Sequence, residues 1–209
     1  MKSFEVKTVC SRRNQFMKTF KELTTYLTEA GVDTVAHTSK GYLAHAIGVY
    51  NDLKEWGWNE ELARAGLFHS IYGTQLFQGF TLPLEKRDDI RAQIGEQAEF
   101  ISYLNCAMDR PHFDEEILKP CGPWQVLDRF ARKLTDVSDE DFNLLCTLHL
   151  CDWLEQVDRS GAWDYRRTAL RKLAKREGGI GRQRYDRVFA NAPEQRCFDE
   201  YEYPTEMAG

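Results

Sequence analysis

The stretch that decides the fold is residues 41–74, GYLAHAIGVYNDLKEWGWNEELARAGLFHSIYGT. It holds two runs in which apolar and small residues recur at helical spacing, broken at Gly57. The second run restarts at Asn59 with Glu60 and Glu61, residue types that a helix N-terminus prefers. The pattern predicts helices over 41–56 and 59–70, turned back on each other as an antiparallel pair. His45 lies near the start of the first run and His69 closes the second. Such a pair can bring two imidazoles to one point between the helices. That suits metal binding, because neutral imidazole is a ready ligand whose second nitrogen a neighbour can orient. A lone histidine beside apolar residues is more often a satisfied core group, so the pair calls for a third ligand.

The helix-like run FNLLCTLHLCDWLEQVDR (142–159) supplies a candidate. The segment SDED from Ser138 reads as a capping box opening a helix over 139–158. Leu145, Leu148, Asp152 and the pair Glu155/Gln156 then share one face, so Asp152 continues an apolar stripe. A carboxylate buried without partners is costly or takes up a proton. Asp152 therefore needs a cation, a strong donor or a metal; a structural ion pair is the plain alternative. His149, one turn earlier, either supports Asp152 or packs in the core. His45, His69 and Asp152 together form a two-histidine, one-carboxylate set, which suits a first-row metal with open positions.

The order AHAIGVYNDL, ELARAGLFHS, LHLCDWLEQ resembles the HD superfamily of metal-dependent helical proteins, with the branch that hydrolyses stringent-response alarmones nearest. IRAQIGEQAEFISYLNCAMDR is similar to a further helix of that branch, and the resemblance spans residues 37–158. It implies an all-α, HD-like helical bundle. It also implies that His45, His69 and Asp152 hold metal. The chain departs from the family where the aspartate of the HD pair is Ser70 and the following acidic dyad is Tyr72-Gly73-Thr74. A bridged dinuclear centre is thereby disfavoured. What remains is one divalent ion, Mn or Fe, with His37 or a water as a fourth ligand. Ser70, Tyr72 and Thr74 become candidates for handling substrate, because their loop directly follows His69. Gln156 joins them as the polar side chain one turn beyond Asp152.

The rest of the chain bounds the class. Its 209 residues with 42% hydrophobic content can bury a real core. The formal net charge of −5 argues against bulk nucleic-acid binding. No apolar run approaches the roughly 20 residues of a membrane span, and residues 1–15 lack a signal-peptide core. Six cysteines without CxxC spacing read as reduced thiols of a cytoplasmic protein. Further helices are expected over 13–30, 84–94 and 96–110, the last ended by Pro111, with ordered aromatic loop 71–83 over the site. No strand-like alternation of any length stands out.

Residues 1–165 are expected to form the helical domain, with 166–209 a basic helical extension and acidic tail packed on it. Residues 166–187 carry nine Lys/Arg, read either as a solvated face or as a basic rim for an anionic substrate. Three functions fit these observations. The first is a metal-dependent enzyme that uses metal-activated water against a small polar, anionic or phosphorylated molecule. The second is a mononuclear Fe(II) oxygenase built on the same triad. The third is an HD-like protein that has lost catalysis and keeps a ligand pocket.

Overall fold

The computed structural model describes residues 18–32, 36–37 and 40–195, without the side chains of Ala36, His37 and Lys40. The expected helical positions before Lys18, including Phe16, lie outside the described residues, as does the acidic tail over 198–209.

The helix pair forms as its sequence dictates. Helix α1, Phe20–Glu29, begins at a capping box in which Thr19 and Glu22 satisfy each other's backbone amides. A two-residue ladder, β1 (Ala36–His37) against β2 (Lys40–Gly41), leads into α2, Tyr42–Glu55. The chain turns at Gly57, whose φ of 89° is left-handed. It re-enters helix α3, Glu60–Leu67, where the Asn59 side chain accepts from the Leu62 amide at 2.9 Å. Gly66 lets α3 approach α2 closely, since a Cβ there would overlap Leu53.

A 3₁₀ turn at Leu84–Lys86 precedes α4, Arg87–Ile94, and α5, Glu96–Ala107. After a hairpin described below comes α7, Asp139–Ser160, capped by Ser138. Helix α7 is buried on nearly every side from Leu145 to Val157. A helix covered all round belongs at the centre of a domain, and α2, α3 and α5 pack on it. Helices α8, Arg167–Glu177, and α9, Gly179–Phe189, pack on it too. The basic segment is thus part of the same packed body.

The fold is mostly helical, but it is not purely all-α. Strand β3 (Trp124–Asp128) pairs antiparallel with β4 (Lys133–Val137), in register Trp124↔Val137 through Asp128↔Lys133. Asp128 closes the turn by accepting from the Phe130 and Ala131 amides. Trp124 stacks on Phe142, ring centroids 4.4 Å apart, which fastens the hairpin to α7. Pro111 does not end a helix either. Asp109 caps α6, Arg110–Glu116, and Pro111 sits in its first turn, where a missing amide costs nothing.

Among the described residues, no helix is long and apolar enough to cross a membrane. Four cysteines there are free thiols, with Cys106, Cys146 and Cys151 buried.

Candidate metal centre

Three elements deliver one side chain each to a common point. His45 comes from the first turns of α2, His69 from the turn after α3, and Asp152 from the middle of α7, all buried. His45 Nε2 lies 3.2 Å from His69 Nε2 and 3.0 Å from Asp152 Oδ1, and His69 Nε2 lies 3.3 Å from that oxygen. An ion with ligand bonds of about 2.0–2.2 Å places neighbouring donors roughly 3.0–3.5 Å apart. The triad is therefore close enough to bind a metal ion.

The outer nitrogens decide what faces inward. His69 Nδ1 lies 2.7 Å from the carbonyl of Gly66, which can only accept, so the proton is on Nδ1. His45 Nδ1 lies 2.5 Å from Glu155 Oε2, so it donates to that carboxylate. In the neutral tautomers both Nε2 lone pairs then point at the same carboxylate oxygen. Three converging lone pairs repel unless a proton or a metal ion stands among them. A carboxylate fixing the histidine that faces a metal is a common arrangement of metalloproteins.

Glu155 is itself positioned. Arg159 donates to its Oε2 at 2.6 Å, and Gly48 opposite has no side chain. A Cβ at Gly48 would overlap the Glu155 carboxylate. The backbone of α2 thus comes near enough for the α7 glutamate to reach His45.

A second chain of contacts reaches His69 from the other side. Asn105 Nδ2 donates to the His69 carbonyl at 2.9 Å. Asn105 Oδ1 faces His149 Nδ1 at 3.3 Å, and Arg166 NH1 lies 2.8 Å from His149 Nε2. Arg166 also makes a two-pronged pair with Asp114, with Nε–Oδ2 at 2.8 Å. Since Arg166 can only donate, Nε2 of His149 accepts and Nδ1 donates to Asn105. Burial, with the charges of Arg166 and Arg110, holds the His149 pKa well below its usual value and keeps it neutral. Arg166 is 1% exposed and has a left-handed φ of 44°, so this member of the basic segment belongs to the interior.

The candidates drawn from the sequence divide. Gln156 Nε2 donates to Asp152 Oδ1 at 3.0 Å and belongs to the centre. Ser70 Oγ lies 3.3 Å from His69 Nε2 and donates to the Tyr42 hydroxyl at 3.0 Å. Phe77 and Phe80 of the loop after His69 pack on the Tyr42 ring, so part of the aromatic loop covers this side. Tyr72 is committed elsewhere: its hydroxyl donates to Glu99, which also pairs with Arg87 and Arg91. The Thr74 hydroxyl accepts from the Phe77 amide in a local turn. Neither Tyr72 nor Thr74 bonds to the triad among the described residues. The side chain of His37 lies outside the described residues. Glu155, Asn105 and Tyr42 are members that sequence reasoning missed. Glu155 alone carried a signal, three residues after Asp152 on the same helix.

Electrostatics give the centre a defined pH response. Burial disfavours the His45 cation, but the hydrogen bonds to Asp152 and Glu155 outweigh it and raise its pKa to about 9. Burial likewise opposes the Asp152 carboxylate, yet the neighbouring His69 and His45 hold its pKa well below the usual carboxylate range. Without metal, the stability from protonated His45 is complete below about 6.5, its unfolded value, and is lost as pH rises through about 9. Metal binding needs the neutral ring and so releases that proton. Affinity should therefore climb about tenfold per pH unit below about 9 and level above it. Titration calorimetry with Mn²⁺ in buffers of different ionisation enthalpy should count about one proton released near pH 7.5. A pH-independent affinity would contradict this assignment.

Residues 26–110 match the family model described as a domain of unknown function, DUF6817. The matched segment contains both histidines and Ser70 and ends before Asp152. No curated protein and no solved structure matches the chain.

Proposed function

We propose that this chain is an HD-like helical metalloenzyme holding one divalent ion, Mn or Fe, between His45, His69 and Asp152. Its reaction is the hydrolysis of a small anionic, phosphorylated molecule. The observation that carries the reading is the convergence of two Nε2 nitrogens and one carboxylate oxygen, with the outer nitrogens already committed to Glu155 and Gly66. Held by these three residues, a divalent ion would supply an acidified water and positive charge for the phosphoryl group under attack. Around it, Glu155 and the Gly66 carbonyl orient the imidazoles, and Gln156 steadies Asp152. Ser70 and Tyr42 offer a hydroxyl pair beside His69. Burial holds the Tyr42 phenol far above its usual pKa, so at neutral pH the pair is a hydrogen-bonding surface and not a base.

The same donor set supports a second reading, an Fe(II) oxygenase, since two histidines and one carboxylate on one face leave positions for substrate and dioxygen. One experiment separates the two. Metal analysis of freshly purified protein is followed by paired assays of phosphate release and oxygen consumption on small phosphorylated compounds. Phosphate release without oxygen uptake supports hydrolysis; iron content with oxygen uptake supports the oxygenase.

Ser70 occupies the place of the HD aspartate, and its Oγ already faces His69 Nε2. Ser70→Asp should add a carboxylate to the centre and raise Mn²⁺ affinity at least tenfold, or add a second ion per chain. Two tightly bound ions in the unaltered protein would contradict the single-ion reading.

A further inference from the structure

Arg110 is buried to 4% exposure, yet its Nε and NH1 have no hydrogen-bond partner among the described residues. Other arginines of the interior are treated differently. Arg166 has the two oxygens of Asp114, and Arg129 donates to the carbonyls of Cys106 and Gly73. Arg64 leaves one nitrogen unpaired but donates through the others to Glu60 and Lys18. A guanidinium stays charged in proteins, so a buried one without a counter-charge weakens the fold unless something else neutralises it.

Its backbone is tied to the elements that carry the metal centre. Arg110 opens α6 directly after α5, whose Asn105 and Cys106 hold the His69 carbonyl at 2.9 and 3.2 Å. Its own backbone amide donates at 2.9 Å to Gln75, in the loop that follows His69. Gln75 in turn donates to Asp109, so the loop and the start of α6 are tied together and the arginine backbone is fixed. Burial lowers the Arg110 pKa, while the Asp152 carboxylate acts the other way and the Arg166 charge adds to the lowering.

We infer that Arg110 is the oxyanion-recognising residue of this centre, its unpaired Nε and NH1 left to donate to oxygens of a substrate whose other end meets the ion. The inference rests on the metal-site reading above and names the substrate chemistry: a small molecule bearing a phosphate or carboxylate. A guanidinium donates charge-assisted hydrogen bonds to the oxygens of either group, and pairing in a buried setting is strong.

The test uses the full chain, with and without Mn²⁺, titrated calorimetrically with inorganic phosphate and separately with acetate. The variants are Arg110→Met, which keeps volume and removes charge, and Arg110→Lys, which keeps charge and loses the fork. Arg110→Met should weaken oxyanion binding at least tenfold without lowering Mn²⁺ affinity. It should also raise the melting temperature, because an uncompensated buried charge is gone. Arg110→Lys should fall between the two. Preference for phosphate over acetate, or the reverse, identifies the oxyanion. A lower melting temperature in Arg110→Met with oxyanion binding intact would make the residue structural and overturn the inference, as would no oxyanion binding by the unaltered protein. If the chain takes up no Mn²⁺, the metal reading fails on that arm alone. Arg110-dependent phosphate or acetate binding by the metal-free chain would still uphold the inference, and its absence would end it.

Discussion

Asp152→Asn should abolish divalent metal binding and whatever turnover depends on it. A neutral amide is a weak ligand for these cations, and Asp152 Oδ1 is the atom on which both Nε2 nitrogens converge. The sharpest readout is thermal. A ligand present at a hundredfold its Kd stabilises a protein by about 2.7 kcal/mol, so saturating Mn²⁺ should raise the unaltered protein's melting temperature and leave the variant's where it was. In chelator the loss should be smaller. There His45, with its pKa of about 9, is a cation at neutral pH, and Glu155 still neutralises it after Asp152 is gone. A structural ion pair predicts the reverse pattern, with no metal effect on the unaltered protein and a variant that melts early with or without chelator.

The second large effect concerns support of the centre. Asp114→Ala removes the partner of Arg166, which is 1% exposed and has no route to solvent. Breaking a buried pair on one side costs about 3–5 kcal/mol, because the remaining charge stays in the interior. In a domain of this size 1 kcal/mol moves the melting temperature by roughly 2–4 °C, so a fall of about 10 °C is expected. Replacing both members, Asp114→Leu with Arg166→Met, should recover most of that loss. Metal affinity should decline in the single variant as well, since the chain Arg166, His149, Asn105 ends on the His69 carbonyl. A single variant that melts within about 2 °C of the parent would show that this chain does not stabilise the fold.

The residues of the triad were legible because each sits in a strongly periodic helix or at its end. Two runs turned at Gly57 had to lie antiparallel, and an aspartate on the apolar stripe of 142–159 had to find a partner. What escaped was set by pairing across the chain. Arg166 reads as one basic residue among nine between 166 and 187, and its inward partners, Asp114 above all, 52 positions away, show only in the fold. Glu155 reads as one more polar position on a helix until Gly48 of α2 makes room for it. The hairpin escaped for a different reason. The inward side of β3 is Trp124, Val126 and Asp128, so a buried carboxylate interrupts the apolar alternation, and most of β4 is exposed or partly so. Pro111 misled because proline both ends helices and begins them. The deciding neighbour is Asp109, whose side chain accepts from the His112 amide at 3.0 Å.

Whether His45, His69 and Asp152 hold one divalent ion is read out by anomalous diffraction from crystals grown with Mn²⁺. A single peak per chain is expected, about 2.0–2.2 Å from His45 Nε2, His69 Nε2 and Asp152 Oδ1. Two peaks at this point, or none while both imidazoles bond only to protein groups, would contradict it.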